Sequence, residues 1–226
     1  AGDQLLEIEF DFIDHNLVLR SSTGQSEAFS LHDGLSVAQF YAATMAGLEK
    51  LGVDVSILAR PYDPERVGSD LAFAQDTEHG TYQSEYIERY WRILSFINTA
   101  YGEFAGRFTG KSSPVHLFWH SFDVAYTRFS GREAPMGGGS AVDQEAYSHE
   151  AISFGFWPGD PNVPAPTFYS YTYPEPEGLA EEPLSPEQAF WADNNGSHMA
   201  ILPYDLLRQT EDPKSTLLSF LESSYL

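Results

Sequence analysis

The residues most able to do chemistry fall in one short run, Ser113 to Arg132, where His116, His120, Asp123, Arg128 and Arg132 are interleaved with Phe118, Trp119, Phe122, Tyr126 and Phe129. Two histidines four apart would share one face of a helix and could there take one zinc ion. Pro114 and the density of Phe, Trp, Val, Tyr and Thr favour a strand instead. On a strand four residues span about 13 Å, whereas two ligands of one zinc each lie about 2.1 Å from it. The spacing therefore predicts no metal site made by this pair alone.

Strand alternation puts His116, Phe118, His120, Phe122, Val124, Tyr126 and Arg128 on one face, and Trp119, Ser121, Asp123, Ala125 and Thr127 on the other. The first face reads in two ways. It is a pocket wall in which Arg128 holds a carboxylate or phosphate, or a core face whose arginine is tied into a buried ion pair. Glu150 shares a strand face with Ile152 and Phe154 and is the candidate partner for that ion pair. With a ligand between the two strands, Glu150 becomes the candidate general base and His149 or His120 the candidate acid. Arg128, His116, Tyr126, Trp157, Tyr171 and Tyr173 are the candidate ligand-binding residues of a pocket among the 115–128, 147–154 and 168–173 strands.

The surrounding elements must position these groups. Glu7-Ile8-Glu9-Phe10-Asp11-Phe12 alternates acid and apolar side chains, and Asp14-His15-Asn16 turns the chain into Leu17-Val18-Leu19-Arg20, which predicts a hairpin. The carboxylates at 7, 9 and 11 read as its solvated face. Ser36-Val37-Ala38-Gln39 fits a capping box, followed by apolar residues at helical spacing as far as Gly52. Val53 to Leu58 predicts a strand, Arg60 to Ala74 a long loop, and Gln75-Asp76-Thr77-Glu78-His79 is a polar cluster ahead of a second helix from Ser84 to about Gly106. Its aromatic stripe reads as core. A loop at Pro135-Met136-Gly137-Gly138-Gly139-Ser140 follows the central strand, then strands near 147–154, 167–173 and 199–202. Asp212-Pro213 caps a last helix. A weak echo between Phe10–Leu51 and Phe168–Leu226 suggests a pseudo-duplication.

The totals narrow the function. The 226 residues carry 12 cations against 33 acids, a formal net charge of −21. Such a surface repels nucleic acid and anionic membranes, whose binding needs Lys and Arg. No apolar run approaches the roughly 18 residues that span a bilayer, and the start has no leader pattern. The absence of cysteine excludes disulfides, a thiolate nucleophile and cysteine-ligated metal. A cytoplasmic location is expected. A Gly-x-Ser-x-Gly elbow, a phosphate-cradling loop and a dinucleotide Gly-x-Gly-x-x-Gly are all missing, and neither a cofactor nor an oligomeric state is indicated.

Several motifs carry a resemblance. Ser113-Pro114-Val115-His116, Ser121-Phe122-Asp123, Thr127 to Arg132, Ala146-Tyr147-Ser148-His149-Glu150, Gly155-Phe156-Trp157-Pro158-Gly159, Tyr173-Pro174-Glu175-Pro176 and Leu202-Pro203-Tyr204, with Phe10 to His15 and Gln75 to His79, resemble the uncharacterised bacterial domain-of-unknown-function family numbered 5996. The resemblance brings no activity. It implies a further N-terminal segment with a His- and Trp-rich strand, absent here, and Gly in many members where His120 stands, which moves the emphasis to Arg128, His149 and Glu150.

The expected architecture is α+β, a largely antiparallel sheet covered by helices, as a single domain over 1–226 or as two pseudo-repeated halves of about 1–110 and 111–226. The expected function is a small-molecule-binding protein or enzyme with an aromatic pocket for an anionic or polar ligand. The alternatives are a non-catalytic acidic interaction or scaffold domain, and a mononuclear metal enzyme drawing ligands from His79, His116, His120, His149 and Glu150.

Overall fold

The computed structural model describes every residue except Ala1, Gly2, Met136, Gly137, Gly139, Pro161, Asn162, Asn195 and Leu226, and excepting the side chain of Arg66. Met136, Gly137 and Gly139 of the expected glycine-rich loop thus lie outside the described residues. The fold is α+β with two antiparallel sheets. The chain divides into two compact units, Ala1–Ile93 and Leu94–Leu226, the boundary falling inside a helix.

The first unit is a three-stranded meander, β1 (Leu6–Asp11), β2 (Asn16–Ser21) and β3 (Ser26–Ser30), with helix α1 (Val37–Lys50) against it. The alternation of 7–12 does make the expected hairpin, with Glu9 opposite Val18. Arg20 reaches across it to Glu7 and Glu9, so those two acids do face solvent. Leu19, Leu48, Leu51 and Val53 form a buried cluster; each such side chain is worth about 1.5–3 kcal/mol of burial. Val53 to Leu58 forms no strand, pairing with no ladder among the described residues; Val53 instead joins the buried cluster and Val55 packs against it.

The start of α1 shows what the polar cluster at 75–79 does. Ser36 and Gln39 make the capping box as expected. The next two donors of the first turn, Val37 N–H and Ala38 N–H, reach the carbonyls of His79 and Asp76 at 2.9 and 2.8 Å. The Asp76 carboxylate in turn takes the His79 N–H at 3.1 Å and its Nδ1 at 2.9 Å. Groups that any helix leaves unsatisfied are thereby paired with a distant turn. A short helix α2 (Pro64–Val67) lies in the preceding loop, and α3 (Ser84–Gly106) follows.

The second unit is built on a six-stranded sheet in the order β4-β5-β6-β7-β9-β8. Its strands are β4 (His116–Phe118), β5 (Asp123–Glu133), β6 (His149–Trp157), β7 (Thr167–Tyr173), β8 (Phe190–Asn194) and β9 (Ser197–Pro203), with helices α4 (Ala141–Ala146), α5 (Tyr204–Leu207) and α6 (Pro213–Ser223). The expected single strand through 115–128 is corrected: residues 119–122 are a turn, and β4 and β5 are a hairpin pairing His116 with Ala125 and Phe118 with Asp123. Phe122 takes φ 59°, in the left-handed region.

The reversal also corrects the faces. Paired residues of an antiparallel ladder point the same way, so His116 and Phe118 share a face with Asp123, Ala125 and Thr127, and not with Arg128. Val124, Tyr126 and Arg128 share theirs with Phe156, Phe154 and Ile152 of β6. That face is the core. Phe104 from α3 meets Tyr126 and Phe154 there at 5.9 and 4.9 Å between ring centroids, and all three are fully buried.

Candidate functional site

A cavity of about 630 Å³ opens on the second unit where β7 runs out beside α4 and the β8–β9 hairpin. Tyr171 and Tyr173 come from the face of β7 opposite the Phe168 core face, since side chains alternate along a strand. Ser140 and Asp143 form a capping box that starts α4, which brings Asp143, Gln144 and Tyr147 to the wall. The hairpin contributes Asn194, Ser197, His198 and Met199, and the chain after β7 contributes Pro174 and Glu175.

The polar groups of the cavity are tied to each other. Tyr147 and Tyr171 share a hydrogen bond at 3.2 Å, and the Tyr173 hydroxyl donates to the Pro135 carbonyl at 3.1 Å. The rings of Tyr147 and Tyr173 stand 4.9 Å apart at 62°. Burial, with the neighbouring Tyr171 hydroxyl, holds the Tyr147 phenol well above its ordinary pKa. Glu175 clamps His198 from two sides, its Oε1 2.7 Å from Nδ1 and its Oε2 2.5 Å from the backbone nitrogen. The His198 side-chain contact lowers the Glu175 pKa below the usual carboxylate value. With Nδ1 committed to the carboxylate, Nε2 is the ring nitrogen left for a ligand.

The sequence candidates separate. Tyr171 and Tyr173 line this cavity; Arg128, His116, Tyr126, Trp157, His120, His149 and Glu150 do not. Arg128 is 4% exposed, and its expected ion-pair partner Glu150 is held elsewhere. Its guanidinium lies 3.7 Å from the Phe104 ring centroid and 4.4 Å from that of Tyr225, with Phe108 at 4.9 Å, and donates to the Phe104 carbonyl at 2.8 Å. Tyr126 is fully buried, 3.4 Å from Arg128 Nε through its hydroxyl. Glu150, the expected partner, is held instead by Arg132 at 2.8 Å and Ser130 at 2.7 Å near the start of β6. These contacts lower its pKa, so Glu150 in this setting is a weak base.

His149 contacts its neighbour Ser148 at 3.1 Å and stands across the ladder from Glu133. His116 packs on Phe118, with ring centroids 4.4 Å apart, and His120 sits in the β4–β5 turn. Trp157 ends β6 opposite Thr167. Among the described residues no group of three or more His, Asp or Glu is arranged to hold a metal ion.

His198 and Glu175 were missed by sequence reasoning. The signal that could have found them is the Asn-Gly dipeptide at 195–196, a strong hairpin pattern in sequence; β8 pairs with β9 from Asn194 opposite Ser197 to Phe190 opposite Ile201, and His198 lies in the cavity wall. The remaining buried acid, Asp123, accepts from Tyr169 at 2.6 Å and from Ser121 on the face opposite the core.

An α+β chain with an antiparallel six-stranded sheet and a tyrosine-lined cavity at one end of it is the class that fold and site define. The chain matches the family described as a family of unknown function, DUF5996, over residues 1–226, and it belongs to that family. Comparison with curated proteins and with solved structures found no match. No helix among the described residues is long and apolar enough to cross a membrane.

Proposed function

We propose that the protein binds a small polar molecule in the cavity between β7, α4 and the β8–β9 hairpin. The observation that carries this reading is the convergence of three tyrosines and a preorganised His–Glu pair on a concavity of about 630 Å³, within the roughly 300–1,000 Å³ range of ligand sites. The reading keeps the aromatic pocket expected from the sequence but moves it from the Arg128 face to the far end of β7. In an amide-resolved NMR screen of polar, metabolite-sized compounds, a binder should shift signals at 143–147, 171–175 and 197–199. Met199→Trp, which pushes an indole into the cavity from its β9 wall, should weaken those shifts. Shifts unchanged in this variant, or shifts that fall elsewhere, would sink the proposal.

A second reading, that the bound molecule is also turned over, is favoured by the Glu175 clamp. A carboxylate on Nδ1 fixes the imidazole tautomer and presents Nε2 as a proton acceptor. His198→Ala should then leave binding within a few fold while removing any conversion followed by NMR. Conversion that persists in this variant would reject His198 as the base.

A further inference from the structure

We infer that the ligand of this cavity is an organic cation, a substituted ammonium or guanidinium group held by the tyrosine rings and by Asp143 and Glu175. The inference rests on the binding reading above and adds the charge of the guest.

Three observations converge. Among the described residues the cavity lining has two carboxylates and neither lysine nor arginine, with His198 its one ionisable base, so an anion would meet two like charges. The Tyr173 hydroxyl spends its hydrogen on the Pro135 carbonyl, and Tyr147 and Tyr171 share one hydrogen bond, which leaves a single phenolic hydrogen between the two. A guest meets aromatic ring surface and two carboxylates on the same wall. The Tyr147 and Tyr173 rings, 4.9 Å apart at 62°, form two walls of a corner, and ring faces attract a cation within about 6 Å of their centroids.

The carboxylates complete the set. Ser140 takes only Oδ2 of Asp143, through both its N–H at 2.9 Å and its hydroxyl at 2.7 Å, which leaves Oδ1 as an acceptor on the wall. Glu175 spends one lone pair of each oxygen on His198. When His198 is neutral, that pair keeps the full carboxylate charge. The chain as a whole, at −21, draws cations toward any such mouth.

The test compares two molecules of the same shape. Choline and its neutral isostere 3,3-dimethylbutan-1-ol are titrated into the full chain, and amide shifts at 143–147, 171–175 and 197–199 are followed. Choline should bind at least tenfold more tightly. Asp143→Asn should narrow that ratio, and Tyr173→Leu should weaken choline about fivefold or more while leaving the isostere within twofold, a split that a general loosening of the fold would not produce. Equal or tighter binding of the alcohol in the cavity overturns the cation and leaves the pocket reading standing. If neither molecule nor any polar fragment perturbs these residues, both readings fall.

Discussion

The guanidinium of Arg128 stands 3.7 Å over the ring of Phe104 while donating to the main-chain oxygen of the same residue at 2.8 Å. One side chain thus ties β5 to the end of α3. Among the described residues it has no ion-pair partner; five aromatic rings, those of Phe104, Phe108, Tyr126, Phe154 and Tyr225, lie within 5.8 Å of it. A desolvated cation–π contact is worth about 2 kcal/mol, which offsets part of the cost of burying the charge. Arg128→Ala should lower stability by about 3 kcal/mol through the cavity it leaves and the lost contacts. Arg128→Met, which refills the volume without a charge, should cost clearly less. Urea denaturation measures both, and equal losses would show that charge, not packing, dominates.

Tyr101 makes the opposite case. Its ring is fully buried in the core and its hydroxyl has no hydrogen-bond partner among the described residues. Burial, reinforced by the charge of Asp123, pushes its pKa well up, so it stays a neutral phenol. Removing an unpaired buried hydroxyl recovers part of its desolvation penalty, which is about 1–3 kcal/mol, and gives up the packing contacts of the oxygen. Tyr101→Phe should therefore be neutral or stabilising by up to about 1 kcal/mol. A lower melting temperature in this variant would reveal an unseen partner for the hydroxyl.

On the other face of the sheet, Gly155 makes room for Tyr169. A Cβ at 155 would lie 2.1 Å from the ring. The ring cannot yield easily, since its hydroxyl is anchored on Asp123 at 2.6 Å. Gly155→Ala should cost about 1–3 kcal/mol from overpacking. Tyr169→Leu in the same background should return part of that loss, and a simple sum of the two single losses would contradict the steric account.

The clamp at the cavity has a pH signature. Contact with His198 depresses the Glu175 pKa in the folded state. A depressed acid adds stability that is present above its unfolded value, near 4.5, and is lost as pH falls through the lower folded value. Carboxyl carbon NMR should find Glu175 titrating below that value in the native chain and moving back up in His198→Ala. The acid-side loss of stability should shrink in Glu175→Gln, and an unchanged slope would remove the clamp from the account.

Local signals made much of the fold legible. The hairpin at 6–21, the capping box at Ser36 and the Asp212-Pro213 cap of α6 follow from patterns that act within a few residues. The break at 119–122 was not legible. No Gly, Pro or Asn marks it, and a phenylalanine, which rarely accepts such a backbone, holds the left-handed position at 122. Once that turn is missed, strand alternation assigns His116 to the wrong face. The ion pair of Glu150 went astray for a related reason: Arg128 and Arg132 are both within reach by sequence, and only the register between β5 and β6, shifted between Phe129 and Glu133, decides that Arg132 takes the carboxylate. The cavity depends on the β8–β9 hairpin meeting the end of β7, a long-range pairing that no local pattern encodes.

The outer strands of the six-stranded sheet are β4, three residues long, and β8, five. Beyond β4, the exposed side of β5 is covered by the chain's own residues 111–113, with Ser113 N–H on the Thr127 carbonyl and Phe129 N–H on that of Lys111, each at 2.9 Å. A neighbouring molecule therefore finds few unpaired backbone groups to template on, and Asp193 on β8 sets a charge against it. Growth from this sheet to a neighbouring molecule's, the hazard of open β-structure, would have to start from two blunt ends.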